Sequence, residues 1–246
     1  MGVANKRASS RAPAPVRVLA QWCKERLSMR MAKRLSFAIS LRGSLNAMLQ
    51  IESLSVPGLR PVSFSLSTGE CVAVRGPSGA GKTLLLRAIV DLDPNIGSVL
   101  LDGVDRQAMP GPLWRRRVGY VPAEPGWWAD RIGEHFGEWS AALPLVQRLG
   151  LPEGAKDWPV LRASTGERAR LALVRALMAA PQVLLLDEPT APLDAATVTA
   201  VEALMAERIL GGLSVLWVTH DATQAARVAK RALLVEAGEV REALAA

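Results

Sequence analysis

The octapeptide GPSGAGKT, residues 76–83, limits what this chain can fold into more than any other stretch. It matches G-x-x-x-x-G-K-[ST] at every fixed position. It follows a short apolar run, CVAVRG (71–76), which reads as a buried strand. A helical pattern follows from Lys82 to about Val90. Strand, glycine-rich turn and helix in that order make an anion cradle. Glycines let successive backbone N–H groups turn inward, and the helix N-terminus adds its positive end. On this reading Gly76, Pro77, Ser78, Gly79, Ala80, Gly81, Lys82 and Thr83 surround a phosphate chain. Lys82 supplies a point charge to the β- and γ-phosphates, and Thr83 offers a hydroxyl to Mg²⁺. The alternative is a plain glycine-rich strand-to-helix turn, and the Lys-Thr pair at its end argues against that.

The rest of the chain alternates strand and helix patterns. Residues 49–55 and 62–66 alternate apolar and polar, as edge strands do. SVLLDG (98–103) reads as a hairpin piece, and RRRVGYVP (115–122) as a run ending in a strand. Residues 124–160 are rich in Trp, Pro and Gly and read as loops with short helices. Then come a helix at 167–179, an apolar strand at 183–187, a helix at 195–209, a strand at 213–220, a helix at 221–229 and a strand pair at 232–240. Such alternation predicts an α/β fold: a mainly parallel sheet flanked by helices, with an antiparallel β edge.

Two further stretches carry chemistry. VLLLDEPT (183–190) ends an apolar strand in two carboxylates and a proline. Asp187 falls at the carboxyl end of that strand, where ligands of open α/β sheets bind. Beside a phosphate loop it is the natural partner of Thr83 in holding Mg²⁺, and Glu188 is placed to polarise an attacking water. VTHD (218–221) sets His220 just past another apolar strand. The plainer reading makes Asp221 a helix cap and His220 a bystander.

ASTGERAR (163–170) adds a capping box, Ser164 with Glu167 three residues on, before an apolar-periodic run. Arg162, Arg168 and Arg170 surround it, which raises the question whether the helix start faces something negative.

Taken in order, GPSGAGKT, ASTGE, VLLLDEPT-APLD and VTHD resemble the motifs of ATP-binding cassette ATPases over about residues 49–240. That resemblance implies a P-loop NTPase fold and Mg²⁺-dependent ATP hydrolysis. Asp187 and Glu188 look like the Walker B aspartate and the catalytic glutamate. Residues 191–194 look like the D-loop, and His220 like the switch histidine. Lys82, Glu188 and His220 are then the catalytic set. ASTGE is similar to the LSGGQ signature, so Ser164, Thr165, Gly166 and Glu167 would complete the ATP site of a second copy in a nucleotide-dependent homodimer. The resemblance also implies an integral-membrane permease as partner and a peripheral position on the cytoplasmic face of the inner membrane. Compact size and the VLWVTHD ending look most like small bacterial export-type ATPases.

Several positions depart from the family pattern, and Ala163, in place of the usual signature leucine, matters least. Thr165 replaces the first signature glycine, where φ > 0 would be disfavoured. Ala123 stands where the Q-loop glutamine is expected and brings no side-chain oxygen; Glu124 is the nearest substitute. No aromatic stands near Val56 or Pro57 to stack on adenine. These departures motivate the alternative of a degenerate, slowly hydrolysing cassette with a regulatory or assembly role. Trp127, Trp128, Trp139 and Trp158 crowd the interval before the signature; the last two read as core and the first two as an interface.

Charge separates the chain into two parts. Residues 1–47 hold ten Lys/Arg and one acid, whereas residues 48–246 hold twenty Lys/Arg and twenty-two Asp/Glu. The chain reads as a basic extension, disordered or upstream of the native start, followed by the ATPase domain from residue 48 with its helical subdomain at about 124–165. A near-neutral body gives no electrostatic footprint for nucleic acid, and none is expected as partner. The two cysteines are too few for a disulfide framework or zinc site. No uncharged apolar run approaches the roughly 18 residues that cross a bilayer.

Overall fold

The computed structural model describes residues 47–245. The basic extension read at 1–47 lies outside the described residues, apart from the backbone of Ala47. Ten strands and six α-helices make up the described part, with short 3₁₀ turns between them.

Three strands come first: β1 (Ala47–Val56), β2 (Leu59–Ser67) and β3 (Cys71–Arg75). Helix α1 (Lys82–Ile89), β4 (Ile96–Leu101), β5 (Val104–Asp105), α2 (Gly111–Arg117) and β6 (Val118–Val121) follow. Then come α3 (Trp139–Arg148), α4 (Thr165–Met178), β7 (Val183–Asp187) and α5 (Ala195–Leu210). The chain closes with β8 (Ser214–Val218), α6 (Ala222–Val228), β9 (Arg231–Glu236) and β10 (Glu239–Leu244).

A six-stranded sheet runs β10-β9-β3-β8-β7-β6. Its inner pairs are parallel and only β9–β10 is antiparallel. A separate antiparallel sheet runs β2-β1-β4-β5. Turn chemistry sets two of the hairpins. Asp102-Gly103 joins β4 to β5 and Ala237-Gly238 joins β9 to β10, all four residues with positive φ. Such two-residue turns match the right-handed twist of the strands they connect.

The parallel strands are buried on both faces, and their two-residue period distributes them between two cores. Val72 and Val74, Val183 and Leu185, Leu216 and Val218 face α1 and the antiparallel sheet. Ala73, Leu184, Leu186, Val215 and Trp217 face the helices α3, α4, α5 and α6. Both cores are fully apolar at their centres, so the sheet is fixed in register from both sides. Its carboxyl ends are thereby held as a rigid rim.

The structure differs from the sequence reading in detail. Residues 111–117 form a helix that takes in the first three residues of the 115–122 run. Gly-Pro at its start suits a first helical turn, and Trp114 anchors it in the core, its indole N–H donating to the Ile89 carbonyl at 3.0 Å. Helix α4 begins at Thr165, two residues earlier than expected.

Candidate nucleotide site

The phosphate loop leaves β3 at Gly76 and enters α1 at Lys82. Gly76, Gly79 and Gly81 all have positive φ, at 150°, 75° and 107°. The path at Gly76 admits no side chain, because a Cβ there would lie 2.0 Å from the Val235 carbonyl oxygen. Gly81, in left-handed conformation, is the N-cap of α1 and offers no side-chain cap. Helix starts leave their first N–H groups without intrahelical partners. Among the described residues those of Lys82 and Thr83 have none, and neither do those of Ser78 and Gly79 in the loop. They line a cleft of about 280 Å³ with Ser78, Gly79, Gly81, Lys82, Thr83, Leu84 and Glu188 on its walls. Lys82 Nζ lies under the loop and donates to the carbonyls of Gly76 and Pro77, each at 2.9 Å. One of its three N–H bonds is left for the cleft.

Across from Thr83 stands Asp187, buried at the end of β7. Thr83 Oγ1 donates to Asp187 Oδ2 at 2.8 Å. Tyr120 on β6 donates its hydroxyl to the same oxygen at 3.2 Å. Burial, then the Asp187 charge, holds the Tyr120 phenol above its ordinary pKa, so it stays a proton donor. A hydroxyl and a carboxylate side by side are hard oxygen donors. Magnesium characteristically takes one or two such protein ligands and completes its shell with water and substrate phosphates. Thr83 and Asp187 therefore fit Mg²⁺.

Glu188 follows with φ 50°, a left-handed conformation rare for a residue with a side chain. Its N–H donates to the Val218 carbonyl at 3.2 Å, tying β7 to β8 just beyond the sheet. The turn aims the carboxylate away from Asp187 and toward His220, whose Nδ1 lies 3.5 Å from Glu188 Oε2. Strain of this kind is held where a site over-determines the backbone. Asp221 caps α6 by accepting from the Thr223 N–H at 2.8 Å, and exposed His220 lies beside Glu188. Behind them, buried Gln224 donates to Thr190 Oγ1 at 2.9 Å and to Glu202 at 3.0 Å, fastening the segment after Glu188 to α5 and α6.

Ser164 caps α4, accepting from the Glu167 N–H at 3.2 Å, while Glu167 accepts from the Ser164 N–H at 2.8 Å. These contacts hold the Glu167 carboxyl below its ordinary pKa, the bond from the Ser164 backbone contributing most. Thr165 is exposed and is the first helical residue, so the positive φ that would have made it uncomfortable is not required. Gly166 packs against the D-loop: a Cβ there would sit 3.0 Å from the Pro192 carbonyl oxygen. The surrounding arginines are engaged elsewhere. Arg162 stacks 3.9 Å over Trp158, Arg168 donates to the Ala163 carbonyl at 2.6 Å, and Arg170 donates to the Leu149 carbonyl at 2.8 Å. What the helix start itself presents is its exposed Ser164–Thr165 end.

Lys82, Thr83, Asp187, Glu188 and His220 thus meet at one rim, on the carboxyl ends of β3, β7 and β8. The signature residues 164–167 form a separate surface. Ala123 and Glu124 lie exposed on the loop after β6, and Glu124 makes no hydrogen bond among the described residues. Val56 is buried and Pro57 exposed, and neither is aromatic. Tyr120 was missed by sequence reasoning. Its signal was faint: the chain's one tyrosine, two residues after Val118 and so on the same strand face.

A second feature lies beyond β6. His135 is buried, and its Nε2 accepts from the N–H groups of Trp128 and Ala129 at 2.9 and 3.1 Å. Its ring meets Trp127 and Trp128 edge-on at centroid distances of 4.8 and 4.6 Å. The Arg175 guanidinium sits 4.7 Å from both indole rings. Trp127 packs onto the helical core, whereas Trp128 is 73% exposed. Trp139 and Trp158 also pack onto that core, as expected.

A glycine-walled phosphate loop opposite a strand-end carboxylate defines a P-loop nucleotide-binding domain. The chain belongs to the ABC transporter family, whose description matches residues 59–191. It is 36% identical over 192 residues to an aliphatic sulfonates import ATP-binding protein of Pseudomonas syringae pv. syringae (strain B728a), covering 74% of this chain and 68% of the relative. It is 34% identical over 212 residues to a phosphonates import ATP-binding protein of Trichormus variabilis (strain ATCC 29413 / PCC 7937), covering 77% and 86%. Among solved structures, an ATP-binding subunit of an ABC transporter superposes with a TM-score of 0.73 at 25% identity, over 80% of this chain and 90% of that one. A bacterial Atm1-family ABC exporter with ATP bound shares the fold at a TM-score of 0.71 and 24% identity, over 82% of this chain and 39% of that one. No helix among the described residues is long and apolar enough to cross a membrane.

Proposed function

We propose that this chain is the Mg²⁺-dependent ATP-hydrolysing subunit of an ABC transporter. The observation that carries the proposal is the convergence of Lys82, Thr83, Asp187, Glu188 and His220 on one rim. The loop N–H groups and Lys82 bind the phosphates of ATP. Thr83 and Asp187 hold Mg²⁺, which when bound neutralises charge on the β- and γ-phosphates. Glu188 orients and polarises the attacking water. His220, 3.5 Å away, steadies that carboxylate and faces the γ-phosphate.

Residues 48–246 form the ATPase domain on this reading, and two copies close around nucleotide. The α4 start of one copy, with Ser164, Thr165, Gly166 and Glu167, points the free N–H groups of Thr165 and Gly166 at the γ-phosphate held by the other. Hydrolysis reopens the pair. The aromatic ledge of Trp127 and Trp128, in the subdomain at about 124–165, receives a loop of the integral-membrane permease. Exposed Trp128, its N–H held by buried His135, suits that task. The chain then works as a peripheral subunit on the cytoplasmic face of the inner membrane. The import functions in its relatives' names support import over the export-type likeness of the VLWVTHD ending. One observation favours slow turnover: Ala123 brings no oxygen to the γ-phosphate side of the site.

Phosphate release from ATP by the full chain, with and without Mg²⁺, tests the proposal beside Glu188→Gln. Mg²⁺-dependent turnover that the substitution abolishes supports it. Tight ATP binding with no turnover, alone or with a co-purified permease, overturns the hydrolytic reading.

A further inference from the structure

Strand β6 pairs in parallel with β7, with Tyr120 opposite Leu185. Side chains two apart share a sheet face, so Leu185 and Asp187 lie on the face that Tyr120 occupies. From its place opposite Leu185 the tyrosine reaches diagonally along that face. Its ring packs on the core beneath α1, and its hydroxyl ends 3.2 Å from Asp187 Oδ2. Thr83 Oγ1 donates to that same oxygen at 2.8 Å. Two donors therefore hold one carboxylate oxygen, and no hydrogen bond to a described residue engages Oδ1. A carboxylate pinned through one oxygen presents the other in a fixed direction.

We propose that Tyr120 is a positioning residue of the metal site, orienting Asp187 so that its free oxygen faces bound Mg²⁺. The proposal rests on the ATPase reading and deepens it. Partners of metal-binding carboxylates typically alter metal affinity ten- to a hundredfold when removed, because they fix the ligand's orientation.

Tyr120→Phe removes one oxygen and keeps the ring in the core. The full-length wild type and variant are titrated with a fluorescent N-methylanthraniloyl ATP, first in EDTA and then over a range of Mg²⁺ concentrations. Expected are equal affinities in EDTA, equal melting temperatures, and a Mg²⁺ requirement for tightened nucleotide binding raised about tenfold in the variant. Wild-type binding that tightens with Mg²⁺, matched by the variant at the same concentrations, overturns the role of Tyr120 and leaves the ATPase reading standing. Weaker binding in EDTA or a lower melting temperature in the variant marks the hydroxyl as structural and also overturns the proposal. Wild-type binding indifferent to Mg²⁺ removes this proposal, and Mg²⁺-dependent phosphate release then decides separately whether the ATPase reading stands.

Discussion

Glu188 Oε2 lies 3.5 Å from His220 Nδ1, a contact between the residue after β7 and the second residue after β8. The contact exists because Glu188 takes a left-handed turn, φ 50°, as soon as the strand ends. Asp187 and Glu188 are neighbours in sequence yet serve different faces of the site. Glu188→Gln keeps the shape and the hydrogen-bonding reach of the side chain but cannot take up a proton. It is expected to lower ATP turnover by at least ~100-fold, the usual scale for a positioned general base, while the nucleotide Kd changes less than about threefold. Steady-state phosphate release and equilibrium nucleotide binding on the same preparation check both halves.

The phosphate loop is expected to tolerate no side chain at its first glycine. At Gly76, φ 150° and a Cβ position 2.0 Å from the Val235 carbonyl oxygen act together. The obstacle is backbone of β9, which pairs with β3 and cannot yield without disturbing the sheet. Gly76→Ala should cost about 2–4 kcal/mol and abolish nucleotide binding. Gly79→Ala meets no atom within 4 Å and carries only its φ of 75°. It should cost about 1 kcal/mol. Urea unfolding of the two variants separates them.

The signature capping box makes a pH-dependent prediction. Glu167 has its carboxyl pKa lowered by the Ser164 backbone N–H. A lowered folded value means that its stabilisation is fully present above the unfolded carboxylate pKa and fades as pH falls through the folded one. The stability difference between wild type and Glu167→Gln should therefore be constant near neutrality and shrink in acid, below about pH 4.3. Ser164→Ala removes the cap itself and should cost about 1 kcal/mol. Chemical denaturation between neutral pH and the acid limb reads both effects.

Much of this was legible in the chain because the chemistry is local. The phosphate loop, Asp187, Glu188 and the Ser164–Glu167 box are each set by residues within a few positions of one another. The alternating strand and helix patterns predicted the mainly parallel sheet. Tyr120 was not legible, because its partner is 67 positions away and becomes adjacent only when β6 pairs with β7. The three arginines around the signature misled for the same reason. Charge alone suggests an anion, whereas tertiary contacts direct Arg162 to an indole ring and Arg168 and Arg170 to carbonyl oxygens. Residues 111–117 are short and heavily basic, so they gave no periodicity by which to read a helix.

Cys71 opens β3 on the face packed against the helical core, and it is buried. Burial, reinforced by the charge of neighbouring Glu70, pushes its thiol pKa up to about 12. The thiolate is the reactive form. At pH 8 the fraction present as thiolate is then on the order of one in ten thousand, against about a quarter for a free cysteine. Cys23, the other cysteine, is removed by Cys23→Ser so that a disulfide reagent reports on Cys71 alone. The folded variant is expected to resist labelling for hours at pH 8 and to label at once in denaturant. Its labelling rate should follow the unfolding equilibrium as urea is raised, because the sheet must open before the sulfur meets solvent. Rapid labelling without denaturant would show that β3 opens locally, and the rim that carries the phosphate loop would then be far less rigid than its packing implies.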